Sequence, residues 1–166
     1  MKLDRPVQRT AAPDGVVFRS TKTYDHNEWL SCCFRQWRAT HSHCKFLHGY
    51  ALAFRFIFAT RSLDVNHWCF DFGGLKFLRE WLKGMYDHTV LVADDDPELA
   101  RFELLARDGL LDLRVVPATG CEATAKYCFE KVALMIDEAS HGRVWLESVE
   151  VSEHSGNSAI YAPSAS

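Results

Sequence analysis

Residues 41–50 read His41-Ser42-His43-Cys44-Lys45-Phe46-Leu47-His48-Gly49-Tyr50, which places three histidines and a cysteine within eight positions. Imidazole nitrogen and thiolate sulfur are donors that suit zinc. Residues two apart in an extended segment point the same way. His41 and His43 therefore present both rings to one point, and His48 joins them if the chain turns back. Three neutral imidazoles with an open fourth position form a catalytic zinc site, and Zn2+ on His41, His43 and His48 is the expectation. The plainer alternative is a surface loop rich in histidine. Cys44 lies four residues before His48, close enough to act as a base beside a metal-bound substrate, because a neighbouring divalent cation favours the thiolate. Its other reading is a fourth ligand that closes a structural site.

Two more groups carry chemistry. Glu153 ends a run in which Trp145, Val149 and Val151 share its parity, so its carboxylate points toward apolar ground. Burying it without a partner would be costly or would force its protonation. A ligand edge with two adjacent N–H donors, as in a 2-aminopyrimidinone, would satisfy both oxygens; the alternative is a strand-end glutamate turned to water. Asp87-His88 sets a carboxylate beside an imidazole, which fixes the tautomer and raises basicity for proton transfer. Such a pair also occurs as plain loop residues.

The elements that must position these groups follow from periodicity. Strands are expected over 17–24, 30–39 and 51–59, the last with Leu52, Phe54, Phe56 and Phe58 on one face and His48 in the same parity. Residues 25–28 between the first two read as a polar loop, with His26 a reserve ligand. Asp71 caps a helix to about residue 86, with Leu75, Leu78, Leu82 and Met85 at helical spacing. A short helix starts at Asp94-Asp95-Asp96-Pro97-Glu98 and ends by Gly109, and residues 111–116 form a short strand. A second long helix spans 120–139. Strands 144–153 and 158–162 close the chain as a hairpin about His154-Ser155-Gly156-Asn157. The result is α+β, an antiparallel sheet with helices on one face. Residues 1–16 are expected to be a flexible arm, 17–162 one domain and 163–166 a tail.

The 166 residues suffice for one domain with a real core. A formal charge of −3 with mixed signs argues against nucleic acid and membrane surfaces as partners. No run has the length of a membrane span and residues 1–16 have no apolar signal core. The expectation is a cytoplasmic protein whose six cysteines are thiols, Cys32, Cys33, Cys69, Cys121 and Cys128 packing as small hydrophobes.

Several segments together suggest a family. Cys44-Lys45-Phe46-Leu47-His48-Gly49-Tyr50 resembles the Cys-x-x-x-His-Gly-His signature of the 6-pyruvoyltetrahydropterin and 6-carboxytetrahydropterin synthases. Trp37-Arg38-Ala39-Thr40-His41 is similar to their aromatic-x-Ala-x-His motif. Asp71-Phe72-Gly73-Gly74-Leu75-Lys76 resembles their Asp-Phe-x-x-Leu-Lys, and Asp87-His88 sits where the family has its catalytic Asp-His. Thr119-Gly120-Cys121-Glu122 resembles the Pro-Thr-Ser-Glu helix start. Val149-Glu150-Val151-Ser152-Glu153 resembles the strand whose terminal glutamate grips the pterin.

The resemblance implies a tunnelling fold: a four-stranded antiparallel sheet with helices on one face, assembling as a homohexamer, a dimer of trimers, with pockets at subunit interfaces. It implies zinc, and catalysis by Cys44, Asp87, His88 and Glu153, with Cys121, Glu122 and Glu153 touching substrate. The Cys-to-His spacing resembles the carboxy-forming branch of 7-deazaguanine and queuosine synthesis. That branch converts 7,8-dihydroneopterin triphosphate to 6-carboxytetrahydropterin with loss of triphosphate and acetaldehyde. The alternatives are the pyruvoyl-forming reaction and a pterin-binding or structural zinc protein without turnover. Tyr50 replaces the second histidine of His-Gly-His, so His43 or Tyr50 would complete the donors. His26 as the first-strand ligand is the other register.

Overall fold

Phe54, Phe56 and Phe58 are fully buried along one face of a single strand, β4 (Ala53–Thr60), and the molecule is layered on it. The structure, a computed structural model, describes residues 15–28 and 30–163; most of the arm expected over 1–16 and of the tail over 163–166 lies outside them. β1 (Phe18–Tyr24) pairs antiparallel with β4 on one side, and β7 (Val144–His154) on the other. β8 (Asn157–Tyr161) completes a four-stranded antiparallel sheet in the order β1-β4-β7-β8.

Two helices cover the apolar face. α1 (Lys76–Tyr86) buries Leu78, Leu82 and Tyr86, and α3 (Cys121–Ser140) buries Ala125, Cys128, Val132 and Ile136. Both sets keep the three-to-four spacing of a single helical stripe. Tyr86 joins the layers, its ring 4.9 Å from that of Phe54 and its hydroxyl 3.1 Å from Cys128 Sγ. Each large side chain buried this way stabilises the fold by roughly 1.5–3 kcal/mol. Asp71 does cap, accepting from Gly73 N at 2.8 Å, but it caps a 3-10 turn at Phe72–Gly74, and α1 follows at Lys76. The fold is α+β, as expected.

A second, smaller sheet runs β3-β2-β5-β6. β2 (Ser31–Phe34) is antiparallel to β3 (His48–Ala51) and parallel to β5 (Thr89–Ala93), which is parallel to β6 (Leu113–Val116). α2 (Leu99–Arg107) is the crossover between β5 and β6. β5 was not expected. Its continuous apolar run Thr89-Val90-Leu91-Val92-Ala93 is what a strand buried on both faces carries, but it is short and directly follows α1.

Three expectations change. The extended run over 30–39 ends at Phe34, because the backbone beyond it bonds locally: Ala39 N donates to Gln36 O and Ser42 N to Ala39 O, both at 2.9 Å. The run over 51–59 is broken at Leu52, whose N–H donates to Leu30 O at 2.9 Å, and the chain changes sheets there. Trp145 does not share a face with Val149 and Val151. β7 carries a bulge opposite Ile57/Phe58 that leaves Glu147 without a partner. The extra residue flips the parity, so Trp145 is exposed while Val149 and Val151 stay buried.

One polar contact lies inside this frame. Asp96, its side chain fully buried, accepts from Arg35 Nε at 2.8 Å and Nη2 at 2.6 Å, and from Glu98 N at 2.9 Å. The Arg35 guanidinium holds the Asp96 carboxyl below its ordinary value. A carboxyl depressed in the folded state contributes stability above its unfolded pKa, near 3.9, and loses it as pH falls through the lower folded value. Urea midpoints at pH 7 and at about pH 3.5 should therefore differ less in Asp96→Asn than in the parent. Equal acid losses in the two proteins would remove this linkage from Asp96.

Candidate active site

β3 holds His48 and Tyr50 two residues apart, on one side of the strand, where their rings meet edge to face at 5.4 Å. Phe34, opposite His48 on β2, packs against both, at 5.2 Å and 6.0 Å. The end of β7 lies alongside, with the His154 ring 6.4 Å from that of Tyr50. Glu153, half-buried, faces Cys121 at the first turn of α3. Cys44 is half-buried on a 3-10 turn, His43–Lys45, whose cap Ser42 accepts from Cys44 N at 3.2 Å; Cys44 O accepts from Gln36 N at 2.8 Å.

Tyr50 is the centre of the group. Partial burial raises its phenol above the ordinary value, and the negative charge available on Glu153, Cys44 and Cys121 raises it further. Burial, then Glu153 and Glu122, push the Cys121 thiol up to about 12. At neutral pH its thiolate fraction is on the order of one in 10^5, so Cys121 is a neutral contact.

The turn geometry separates other expected residues. His41 and His43 are exposed, and the His43 ring stacks against Phe46 at 6.3 Å. Their shared direction required an extended segment, and the Ser42-capped turn removes it. Asp87-His88 are hydrogen-bonded, His88 Nδ1 donating to Asp87 Oδ1 at 2.6 Å, but they stand at the far end of β2. His88 N donates to Ser31 O, and Ser31 pairs with Ala51, three residues along from the Phe34–His48 pair. That end is roughly 10 Å away by the rise of a strand. Glu122 is exposed beside Cys121.

The donor set does not make the expected zinc site. Among the described residues no group of three His, Cys, Asp or Glu converges on one point. His48 Nδ1 donates to Phe46 O at 2.7 Å and His26 Nδ1 to Ala51 O at 2.5 Å. Each imidazole thereby keeps Nε2 free, the arrangement that orients a ligand histidine, but these are two imidazoles where a catalytic zinc takes three protein ligands.

A cleft of about 370 Å³ opens beside this group, between residues 36–39, Ala93, Asp95 and 117–119. Trp37 Nε1 donates to Asp95 at 2.9 Å and Arg38 pairs with the same carboxylate. Gln36 connects the cleft to the start of α3, where Gly120 has φ +102°. That φ is one L side chains rarely adopt, and a Cβ there would also have to displace the end of the Gln36 side chain, 2.3 Å away. Nothing in the sequence signals Gln36 or the Arg35–Asp96 contact, because both are long-range.

The family model for 6-pyruvoyl tetrahydropterin synthase matches residues 23–164. The chain belongs to that family. Solved structures agree on the fold. An uncharacterized protein from Wolinella succinogenes is 17% identical with a TM-score of 0.74, covering 89% of this chain and 99% of its own. A catalytic residue mutant of the Plasmodium vivax 6-pyruvoyltetrahydropterin synthase is 16% identical with a TM-score of 0.63, covering 88% and 97%. The Caenorhabditis elegans 6-pyruvoyl tetrahydropterin synthase is 19% identical with a TM-score of 0.58, covering 90% and 96%. No curated protein matches in sequence.

By the resemblance, Tyr50 stands where the second histidine of His-Gly-His would be. Tyr50→His would set a second imidazole beside His48 on the same face, and should raise zinc affinity by about tenfold or more. His43→Ala, on the exposed turn, should leave it unchanged. Zinc titration with a chromophoric competitor measures both, and loss of binding in His43→Ala would move the ion to the turn.

Proposed function

We propose that the chain is a pterin-triphosphate lyase of the carboxy-forming type, converting 7,8-dihydroneopterin triphosphate and one water to 6-carboxytetrahydropterin, triphosphate and acetaldehyde. The observation that supports this is Glu153: a half-buried carboxylate at a strand end, beside a neutral thiol and a phenol, with no cationic partner among the described residues. Its two oxygens suit the paired N–H donors of a 2-amino-4-oxopyrimidine edge. Cys44, near Tyr50, takes the proton from side-chain carbon, triphosphate departs as the carbon–oxygen bond breaks, and water adds before the carbon–carbon bond that frees acetaldehyde is cleaved. The four-residue interval from Cys44 to His48 favours the carboxy-forming product. Among the described residues no helix is long and apolar enough to cross a membrane.

The Asp87-His88 pair serves proton transfer in a neighbouring copy, since its own Cys44 lies at the other end of β2. The protein then works as a homo-oligomer whose sites are shared between subunits, the hexamer of the family being the form expected.

Incubation with 7,8-dihydroneopterin triphosphate tests the reading. Acetaldehyde with a carboxypterin supports it, a pyruvoylpterin without acetaldehyde moves the chain to the other branch, and no turnover ends it. Cys44→Ala should keep pterin binding and lose roughly two to four decades in rate. Glu153→Gln presents one donor where the ligand also donates, so its loss should fall chiefly on affinity. Cys44→Ala and His88→Ala, inactive apart, should recover about a quarter of wild-type activity when refolded together, the share of sites with both intact groups in random assembly. No recovery would place both groups within one chain.

A further inference from the structure

Arg35 and Gln36 leave the end of β2 and touch three loops at once. The Arg35 guanidinium grips buried Asp96 in two hydrogen bonds, and that carboxylate also accepts from Glu98 N, which fixes the approach to α2. The Arg35 carbonyl accepts from Thr119 Oγ1 at 2.6 Å, which fixes the approach to α3. The next residue donates its N–H to Cys44 O at 2.8 Å and lays its side chain on Gly120. Cys44 and Cys121, both near Tyr50, are thus located through one dipeptide, although neither lies in a strand.

A buried ion pair is a weak source of stability, since apolar residues of similar volume often serve as well. Its two-bond fork allows one relative orientation, which apolar contacts do not. We propose that the Arg35–Asp96 pair is a positioning device, setting the Cys44 turn against the start of α3 so that the thiol faces a substrate held at Glu153. This rests on the function proposed above for its consequence in turnover, and on geometry alone for its effect on Cys44.

The test compares Arg35→Met/Asp96→Leu, which replaces the pair with apolar volume, and Thr119→Val, which removes one hydrogen bond at nearly constant shape. Thermal melting, kcat and KM for 7,8-dihydroneopterin triphosphate, and the iodoacetamide alkylation rate of Cys44 read by peptide mass are measured in each. The double variant should stay folded, alkylate at Cys44 about fivefold faster or more, and lose about tenfold in kcat with a smaller change in KM. Thr119→Val should move both quantities the same way by less. Wild-type alkylation and kcat in both variants would overturn the proposal. If the double variant does not fold, Thr119→Val decides alone. If the parent shows no turnover, the proposed function fails while the alkylation rates still decide the positioning role.

Discussion

The row Phe54, Phe56, Phe58 must be kept from water, and the rest of the chain is arranged around that demand. The rings stack along β4 at 6.4–6.5 Å spacings, and α1 and α3 cover them. Because β4 is central in its sheet, its register fixes β7, and with it the point at which Glu153 emerges. The same row explains the break at Leu52. A chain that continued straight from β3 into β4 could not both pair with β2 and place its aromatic face under the helices.

The sequence was most informative where a period of two or of three to four ran uninterrupted. β4, α1 and α3 were read from such periods because burial of one face is a local pattern with a global cause. The closing hairpin was legible from its turn residues. The failures share a mechanism. Residues 35–42 have strand-like composition, but turn hydrogen bonds satisfy the backbone there, and no local propensity announces that competition. The bulge in β7 moved Trp145 to the other face by inserting one residue, an event a strict alternation rule cannot see.

The site shows the same division. Cys44, His48 and Glu153 could be selected by type, and the structure gathers them around Tyr50. His41 and His43 had the right chemistry and the wrong backbone. Their directions depended on an extended segment that Ser42 converts to a turn. His26, by contrast, has its ring nitrogen fixed by a carbonyl of β3 from 25 residues away, which spacing alone could only hold in reserve.

His88 sits at φ +57°, in the left-handed region that non-glycine residues rarely occupy, with its side chain almost wholly exposed and bonded to Asp87. Backbone strain at an exposed residue is retained only where the surroundings impose it. Here His88 N donates to Ser31 O, so the β2–β5 pairing sets the conformation and turns the imidazole outward. The carboxylate–imidazole pair stands at the opposite end of β2 from the Cys44 turn. On the proposed reading its proton belongs to a second copy. Among the described residues, β1 and β8 are the edge strands of the antiparallel sheet.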